Sequence, residues 1–367
     1  MAMEYRILPH GGEKISVIGM GMAYINESDE KEIENTVRTA IDLGVNYFDF
    51  IPSNTKPFEP YARALKGLRE KVMLQVHLGA SYKTGEYGWT RNMEEIKHEF
   101  QRRLDVLGTD YADFGFFHCV DDEQDFEALD AMGLYEYGLK LKEQGIIRHL
   151  AFSSHNVAIA RKFVEMGICD LGMFSINPMY DYTNDSEYCQ GEAADRLAFY
   201  KECEQAGVAL SVMKPFAGGQ LLDKLASPFK QALTRNQCIA YELDKPAVVT
   251  VLPGVRNKQD LLDVVSYVDS SPEERDYSVL GTFAPADIKG TCVYCNHCHP
   301  CTEGLNVALI NKYYDLALVG DDMAADHYDK LPLHASDCTH CGHCDDRCPF
   351  GVEQSDRMYE IASYFGY

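Results

Sequence analysis

Eight short apolar or β-branched runs, the helix-patterned segments between them and two dense cysteine runs near the end predict an α/β chain. The expected fold is a (β/α)8 barrel followed by a small, mainly helical domain. Residues 4–14 (EYRILPHGGEK) open with a short hairpin turned at Gly11-Gly12. Strand-like runs then fall at 16–22, 47–51, 72–78, 111–119, 149–155, 171–177, 209–214 and 248–253. Between them EIENTVRTAIDLG, MEEIKHEFQRRLDVLG, LYEYGLKLKEQG and RLAFYKECEQAG carry helical periodicity, and each stops at a glycine, as helix C-termini do. Eight such units in about 250 residues match a closed barrel. An open doubly wound sheet fits less well, because no GxGxxG follows the first strand. Charge and proline then take over (SSPEERDY, APADIKG), which sets the barrel at 1–270, a linker at 271–290 and a second domain at 291–367.

The second domain is defined by CVYCNHCHPC (Cys292, Cys295, Cys298, Cys301) and CTHCGHCDDRCP (Cys338, Cys341, Cys344, Cys348). Thiolates spaced in this way on a tight loop converge on the corners of one Fe–S cube, and a displaced fourth cysteine supplies the last iron. The second run has the spacing of bacterial two-cluster ferredoxins, including the proline after its last cysteine. The first is one residue shorter, with Pro300 before its last cysteine. Two zinc sites are the alternative, but one tetrahedral ion does not comfortably take four cysteines packed so closely. Disulfides at this density would scramble. The expectation is two [4Fe–4S] clusters that exchange ligands: Cys292, Cys295 and Cys298 with Cys348, and Cys338, Cys341 and Cys344 with Cys301. NVALINKYYDLALVG, between the runs, reads as helix, so the domain is expected to be a helical ferredoxin-like module.

Composition narrows the partners. Hydrophobic residues at 46% suffice for a sizeable core, and a net charge of −23 argues against nucleic acid or an anionic membrane. No apolar run approaches the ~20 residues of a membrane span, and the start lacks a signal-peptide core. A cytoplasmic protein is expected. The five cysteines outside the runs (Cys119, Cys169, Cys189, Cys203, Cys238) are scattered and odd in number, which fits reduced thiols. Oligomeric state leaves no signature in the sequence.

In such a barrel the chemistry lies at the C-terminal ends of the strands. Those ends carry Asp49, His77, His118 with Cys119, Ser153 with Ser154 and His155, Asn177, Lys214 and Gly254. Capping of helices explains any one of them. Three histidines and an aspartate at successive strand ends point to a site. The loop 79–92 (GASYKTGEYGWTRN) adds Tyr82, Tyr87 and Trp89, either as a pocket wall or as packing on the rim.

The ordered pieces LPHGGEKISVIGMGM, GVNYFDF, LREKVML, LGTDYADFGFFH, GIIRHLAFSSH, GVALSVMKPFAGG and VLPGVRN resemble the aldo/keto reductases. With the cysteine-rich end, the resemblance is to the branch carrying a C-terminal ferredoxin-type domain. It implies a TIM barrel and NAD(P)H-dependent carbonyl reduction by an Asp-Tyr-Lys-His tetrad. Carried over, that tetrad is half present: the aspartate falls on Asp49 and the histidine on His118, but the tyrosine falls on Asn54 and the lysine on His77. Asparagine donates a hydrogen bond but gives up no proton, whereas histidine does both near neutrality. The acid/base role is therefore expected of His118 and His77, with Asp49 orienting or charging a neighbour. The nicotinamide contacts implied by the resemblance are eroded too. Its Ser-Asn pair reads Ser153-Ser154, its glutamine falls on Met173, its asparagine matches Asn177, and its late Glu-Asn falls on Asp263-Val264. Gly254 and Arg256 stand where phosphates would lie.

The leading expectation is an oxidoreductase passing electrons between the two clusters and a small organic substrate at the barrel mouth. A ferredoxin or flavodoxin would be the external partner, and Lys214 and Arg256 would offer charge to a carboxylate or phosphate. One alternative is an NADP(H)- or NAD(H)-dependent carbonyl reductase in which the clusters are structural or a side branch. Another is a lyase or hydrolase with a metal ion at Asp49, His77 and His118. A cluster-bearing sensor without catalysis is the weakest reading.

Overall fold

Most of the strand-like runs of the sequence line up as neighbours in one parallel sheet. The computed structural model describes residues 2–183, 190, 193–282, 290–294, 298–318, 322–348 and 350–366. Strands β1 (Tyr5–Ile7) and β2 (Lys14–Ser16) form the expected antiparallel hairpin. There follow α1 (Glu30–Asp42), β3 (Tyr47–Asp49), α2 (Phe58–Leu65), β4 (Met73–Leu78), a small hairpin of β5 (Ala80–Ser81) and β6 (Gly88–Trp89), and α3 (Met93–Leu107). Next come β7 (Ala112–Phe117), α4 (Glu123–Ala131), α5 (Leu134–Glu143), β8 (Ile147–Ser154), α6 (Val157–Met166), β9 (Leu171–Ser175), α7 (Pro178–Thr183) and α8 (Ala193–Gln205). The barrel ends with β10 (Ala209–Met213), α9 (Arg235–Leu243), β11 (Val248–Val251) and α10 (Lys258–Val265). Helices begin at side chains that cap their free N–H groups, among them Asp29, Asn92, Asp122, Asn156, Thr234 and Asn257.

The sheet runs β3-β4-β7-β8-β9-β10-β11, every pair parallel. Its two edges are joined by residues 18–21, where Ile18 bridges Val251, Met20 bridges Phe48 and Gly21 bridges Gly254. The expected first strand therefore contributes isolated bridges rather than a regular strand. A Cβ on Gly19 would stand 3.1 Å from the Tyr47 carbonyl oxygen, and one on Gly21 would stand 3.0 Å from that of Pro253, so glycine permits the close passage. Inside, Leu8 and Ile15 of the first hairpin join Tyr47, Phe114, Phe116, Leu171 and Met173 in one buried cluster. The outer faces of the strands bury against the helices in a larger cluster.

Helix α11 (Pro272–Arg275) follows, and Tyr277 packs edge-on against Tyr241 with 5.3 Å between ring centres, while its hydroxyl donates to Asp244 at 2.9 Å. Beyond it lie α12 (Val307–Leu318), α13 (Asp322–Asp329), α14 (His343–Arg347) and α15 (Gln354–Phe365), around a separate core that includes Leu305, Ile310, Tyr328, Met358 and Ile361. The helix expected over NVALINKYYDLALVG is α12. This tail docks on the α7–α8 flank of the barrel. Lys201 pairs with Asp315 and Lys312 with Glu204, each at 3.4 Å, and the rings of Tyr182 and Phe350 lie 6.5 Å apart. Among the described residues, no helix is long and apolar enough to cross a membrane.

Behind that flank sits a buried ion pair. Asp181 accepts from Arg196 Nε at 2.8 Å and from the hydroxyls of Tyr200 and Tyr241 at 2.7 Å each. Arg196 is fully buried. Removing one partner of such a pair strands the other charge in a dry interior. Asp181→Ala should therefore lower the unfolding free energy by about 3–5 kcal/mol in urea titrations. A loss below about 1 kcal/mol would contradict the pairing.

Candidate active site at the barrel mouth

Register places the three central residues. Asp49 lies opposite Gln75, and His77 lies opposite Phe116. Because alternate side chains face inward, the inward-facing set climbs two residues from each strand to the next: Asp49, then His77, then His118. The climb brings their polar atoms into one chain. Asp49 Oδ1 is 3.2 Å from His77 Nε2, and His77 Nδ1 is 2.8 Å from His118 Nδ1. His118 Nε2 is 2.6 Å from the hydroxyl of Tyr87. The His77 ring stacks on Phe116 at 4.8 Å, and Arg103, fully buried, donates to the His77 carbonyl at 2.6 Å.

The hydrogens follow from the network. With the Gln75 amide nitrogen turned toward His77 Nε2 at 3.0 Å, that nitrogen is an acceptor and the ring proton sits on Nδ1; the buried Gln75 Oε1 is then left without a partner. His77 then donates to His118 Nδ1, so His118 carries its proton on Nε2, facing Tyr87. Asp49 meets an acceptor nitrogen and bonds to it as the neutral acid. The electrostatics agree. Burial pushes the Asp49 carboxyl up to about 7, against a hydrogen bond from Gln75. Burial, with Arg103 next, lowers His77 to about 3, and burial holds His118 well below the usual histidine range, with His77 and Arg91 adding to it. Both imidazoles are neutral near pH 7.

Tyr87 arrives by a backbone staple. Its N–H donates to the Ser53 carbonyl at 2.9 Å, the Thr55 N–H donates to the Gly85 carbonyl at 2.9 Å, and Asn54 bridges Glu86 antiparallel. The loop holding Asn54 is thus paired to the loop holding Tyr87. Asn54 itself accepts from the Lys56 N–H at 3.1 Å and stands outside the chain of rings. At the hairpin's root Gly79 (φ 115°) leaves no room for a side chain, since a Cβ would sit 3.3 Å from that of His118. Trp89 stands edge-on to His118, with 6.4 Å between ring centres. The sequence marked Tyr87 as pocket wall or rim packing; the paired loops bring its hydroxyl to His118.

A second polar group flanks the first. Lys214 Nζ lies 2.6 Å from His155 Nε2, and His155 Nδ1 lies 2.9 Å from Asp121 Oδ2. The Cys119 thiol faces the same carboxylate at 3.7 Å, and burial with Asp121 pushes it up to about 12, so it is no nucleophile near neutrality. Ser153 Oγ accepts from the Cys119 N–H at 2.7 Å, and Ser154 Oγ donates to Asp121 at 3.1 Å. Asn177 donates to the Lys214 carbonyl at 2.8 Å and accepts from the Tyr180 N–H at 2.9 Å. These strand-end residues therefore hold the loops. At the far edge, Arg256 donates to Asp260 at 2.7 Å, with 55% of its side chain exposed, just before α10. Gly254 lies under the Tyr24 ring.

The single-ion set expected at Asp49, His77 and His118 does not form, because His77 turns a different nitrogen to each neighbour. Among the described residues, only Cys119, Asp121 and His155 bring three ligand atoms within 4.8 Å of one another. The Lys214 amine already occupies the outer nitrogen of that histidine.

In the tail, Cys298, Cys301, Cys338, Cys341 and Cys344 line one pocket with Met358. The His340 N–H donates to Cys338 Sγ at 3.4 Å, the Val352 N–H to Cys348 Sγ at 3.3 Å, and Thr302 Oγ lies 3.3 Å from Cys341 Sγ. No three of the described tail sulfurs lie within 4.8 Å, whereas zinc with bonds of ~2.3 Å draws its thiolates closer than that. Cys295 and Cys189 lie outside the described residues. A separate cavity of about 270 Å³ opens at the seam between α8 and residues 291–293, away from the mouth.

A model described as "Aldo/keto reductase family" matches residues 17–237. Aldo-keto reductase YhdN of Bacillus subtilis is 30% identical over 128 residues, which cover 32% of this chain and 39% of that protein. L-galactose dehydrogenase of Arabidopsis thaliana is 29% identical over 161 residues, covering 41% and 48%. The chain thus spans less than half the length of these curated relatives. The solved aldo-keto reductase AKR11C1 of Bacillus halodurans superposes with a TM-score of 0.62 at 20% identity, over 77% of this chain and 97% of that one. An aldo-keto reductase of Klebsiella pneumoniae in complex with NADPH gives 0.55 at 18% identity, over 78% and 97%. Both likenesses are of fold.

A buried carboxyl that prefers its neutral form leaves a pH signature. The unfolded aspartate titrates near ~3.9. The folded Asp49 titrates near about 7, so it removes stability as pH rises between the two values. Asp49→Asn lifts that loss and keeps a donor for His77. Its urea midpoint relative to the parent protein should therefore climb between about pH 4 and about pH 7 and level off above; a difference independent of pH would contradict the assignment.

Proposed function

The chain belongs to the aldo/keto reductase family, and from that membership we propose an oxidoreductase that interconverts a carbonyl and an alcohol on a small organic molecule at the barrel mouth. The observation that carries this reading is the buried chain of Asp49, His77 and His118 at the C-terminal ends of neighbouring strands. Reduction of a carbonyl builds negative charge on its oxygen, and a positioned acid must quench it. His118 and His77 serve proton transfer in place of the family's tyrosine and lysine, with Asp49 behind them. Arg91 donates to the His118 carbonyl at 3.1 Å and holds that strand end in place.

NADP(H) or NAD(H) supplies a hydride when bound. The residues present suit it best at the phosphate corner, where the exposed Arg256, Gly254 and the N-terminus of α10 lie together. Ser153 keeps a hydroxyl proton for a carboxamide, whereas Asn177 and Ser154 are engaged in the scaffold and Met173 offers no hydrogen bond donor. The NADPH complex of the Klebsiella pneumoniae neighbour supports this electron source.

The tail favours a second source. The division into a barrel at 1–270, a connection at 271–290 and a ferredoxin-like domain at 291–367 is part of this reading. Two [4Fe–4S] clusters, which carry one electron at a time when present, suit cysteines that share a pocket and accept N–H groups on sulfur. Cys301 would join Cys338, Cys341 and Cys344 at the outer cluster. Cys348 would join Cys292 and Cys295 nearer the barrel, where Cys292 and Cys348 pack with the barrel's own core, and Cys298, which also lines the pocket of the outer set, would complete them. A ferredoxin or flavodoxin would meet the exposed Cys341 side. Electrons would enter the barrel past Phe350 and Tyr182.

Anaerobically purified protein decides between the sources. NADPH or NADH at ~100 times its dissociation constant should stabilise the fold by about 2.7 kcal/mol and support reduction of 4-nitrobenzaldehyde, an activated carbonyl used as a probe. Absence of both stabilisation and turnover would end the nicotinamide reading. Iron near about eight per chain, with dithionite bleaching reversed by the same carbonyl, is the result expected of the cluster reading.

A further inference from the structure

We propose that Tyr87 is the catalytic acid of this barrel, delivered from the β5–β6 hairpin to a place that Asn54 leaves without a proton donor, and that it is resupplied through His118 and His77 from Asp49. The inference rests on the carbonyl–alcohol reading above and names a residue that reading does not need.

Three independent observations converge on it. The Tyr87 hydroxyl lies 2.6 Å from His118 Nε2, shorter than the other links of the chain. Backbone pairing ties residues 85–87 to residues 53–55, so the tyrosine reaches the mouth from the neighbour of the loop that lacks one. Tyr87 also exposes 37% of its surface, while His77 exposes 1% and His118 5%. Of the four groups, the tyrosine is the most open to an incoming molecule.

The hydrogen positions give the chain a direction. His118 Nε2–H points at Tyr87 Oη, which frees the phenolic hydrogen for the mouth. As the carbonyl carbon gains a hydride and its π bond breaks, the oxygen takes the Tyr87 proton. Tyr87 recovers a proton from His118 Nε2, His118 Nδ1 takes the His77 Nδ1 proton, and His77 Nε2 takes the proton of Asp49. One proton enters the alcohol and one carboxylate remains, so charge and hydrogen balance. A neutral Asp49 is the reservoir, and burial keeps it protonated up to about pH 7. The groups facing it are His77 and Gln75 from β4, Tyr47 on its own strand, Tyr61 from α2, and Tyr82 and Tyr87 of the hairpin. Arg103 acts on His77 from α3.

The test uses the full chain, purified anaerobically, with NADPH or NADH and 4-nitrobenzaldehyde. Tyr87→Phe should lower kcat by about 10²–10⁴-fold while KM changes by less than about threefold. Resistance of the 79–92 loop to limited proteolysis reports whether the hairpin keeps its seat and should be unchanged. Asp49→Asn, which retains the hydrogen bond but holds no proton to give, should flatten the fall in kcat that the parent protein shows above about pH 7. Tyr87→Phe turning over within about threefold of the parent, with the loop equally resistant, overturns the proposal and leaves the carbonyl–alcohol reading standing. Loss of turnover with faster cleavage of the loop also counts against it, since a displaced hairpin then accounts for the loss. A parent protein that turns over no carbonyl with either nicotinamide removes both.

Discussion

The stagger between neighbouring parallel strands is the constraint on which this site depends. Closing a sheet into a barrel tilts its strands, so residues facing inward rise from one strand to the next. Here the rise links Asp49 on β3, His77 on β4 and His118 beyond β7, each close enough to bond to the next. Lower in the barrel Tyr47 and Phe114 follow the same rise, meeting edge-on with 5.4 Å between ring centres. A shift of one residue in the β4 register would turn His77 outward into the helices and break the run at its centre. The buried Arg103 guards against that slip by holding the carbonyls of His77 and Ala80.

Much of this was legible in the sequence because it depends on local pattern. Alternating apolar runs and glycine-stopped helices marked the barrel, and Gly11-Gly12 marked the hairpin that closes it. The ends of those runs carry Asp49, His77 and His118, and it is the register that turns all three inward. Tyr87 was not legible as more than a wall, because its position comes from backbone pairing between two loops some thirty residues apart. The glycines at 79, 85 and 88 were the available signal: so flexible a stretch around one tyrosine implies a shaped turn. Residues matched to the family by position fared differently. Ser153 and Asn177 both lie at strand ends, and their hydrogen bonds go to Cys119, Lys214 and Tyr180. Position along the chain does not say which partner a side chain takes.

The tail illustrates another limit of pattern. Cysteine spacing pointed to a ligand set, but nothing local said which side of the barrel would receive it. Charge pairs between Lys201 and Asp315 and between Lys312 and Glu204 fix it to the α7–α8 flank. Behind that flank the barrel keeps Asp181 with Arg196, Tyr200 and Tyr241, a polar knot inside an apolar wall. The two halves share one core through Val293, Tyr294, Phe350 and Val352, so the join is a packed one.

The central claim is a statement about where hydrogens sit. Neutron diffraction from a deuterium-exchanged crystal of the ligand-free protein near pH 6 reads those positions directly. The account predicts a deuteron on the Asp49 carboxyl, one on Nδ1 of His77 and one on Nε2 of His118. A deuteron on His77 Nε2 facing an ionised Asp49 would contradict it, because the path from the carboxyl to the tyrosine would then run the wrong way.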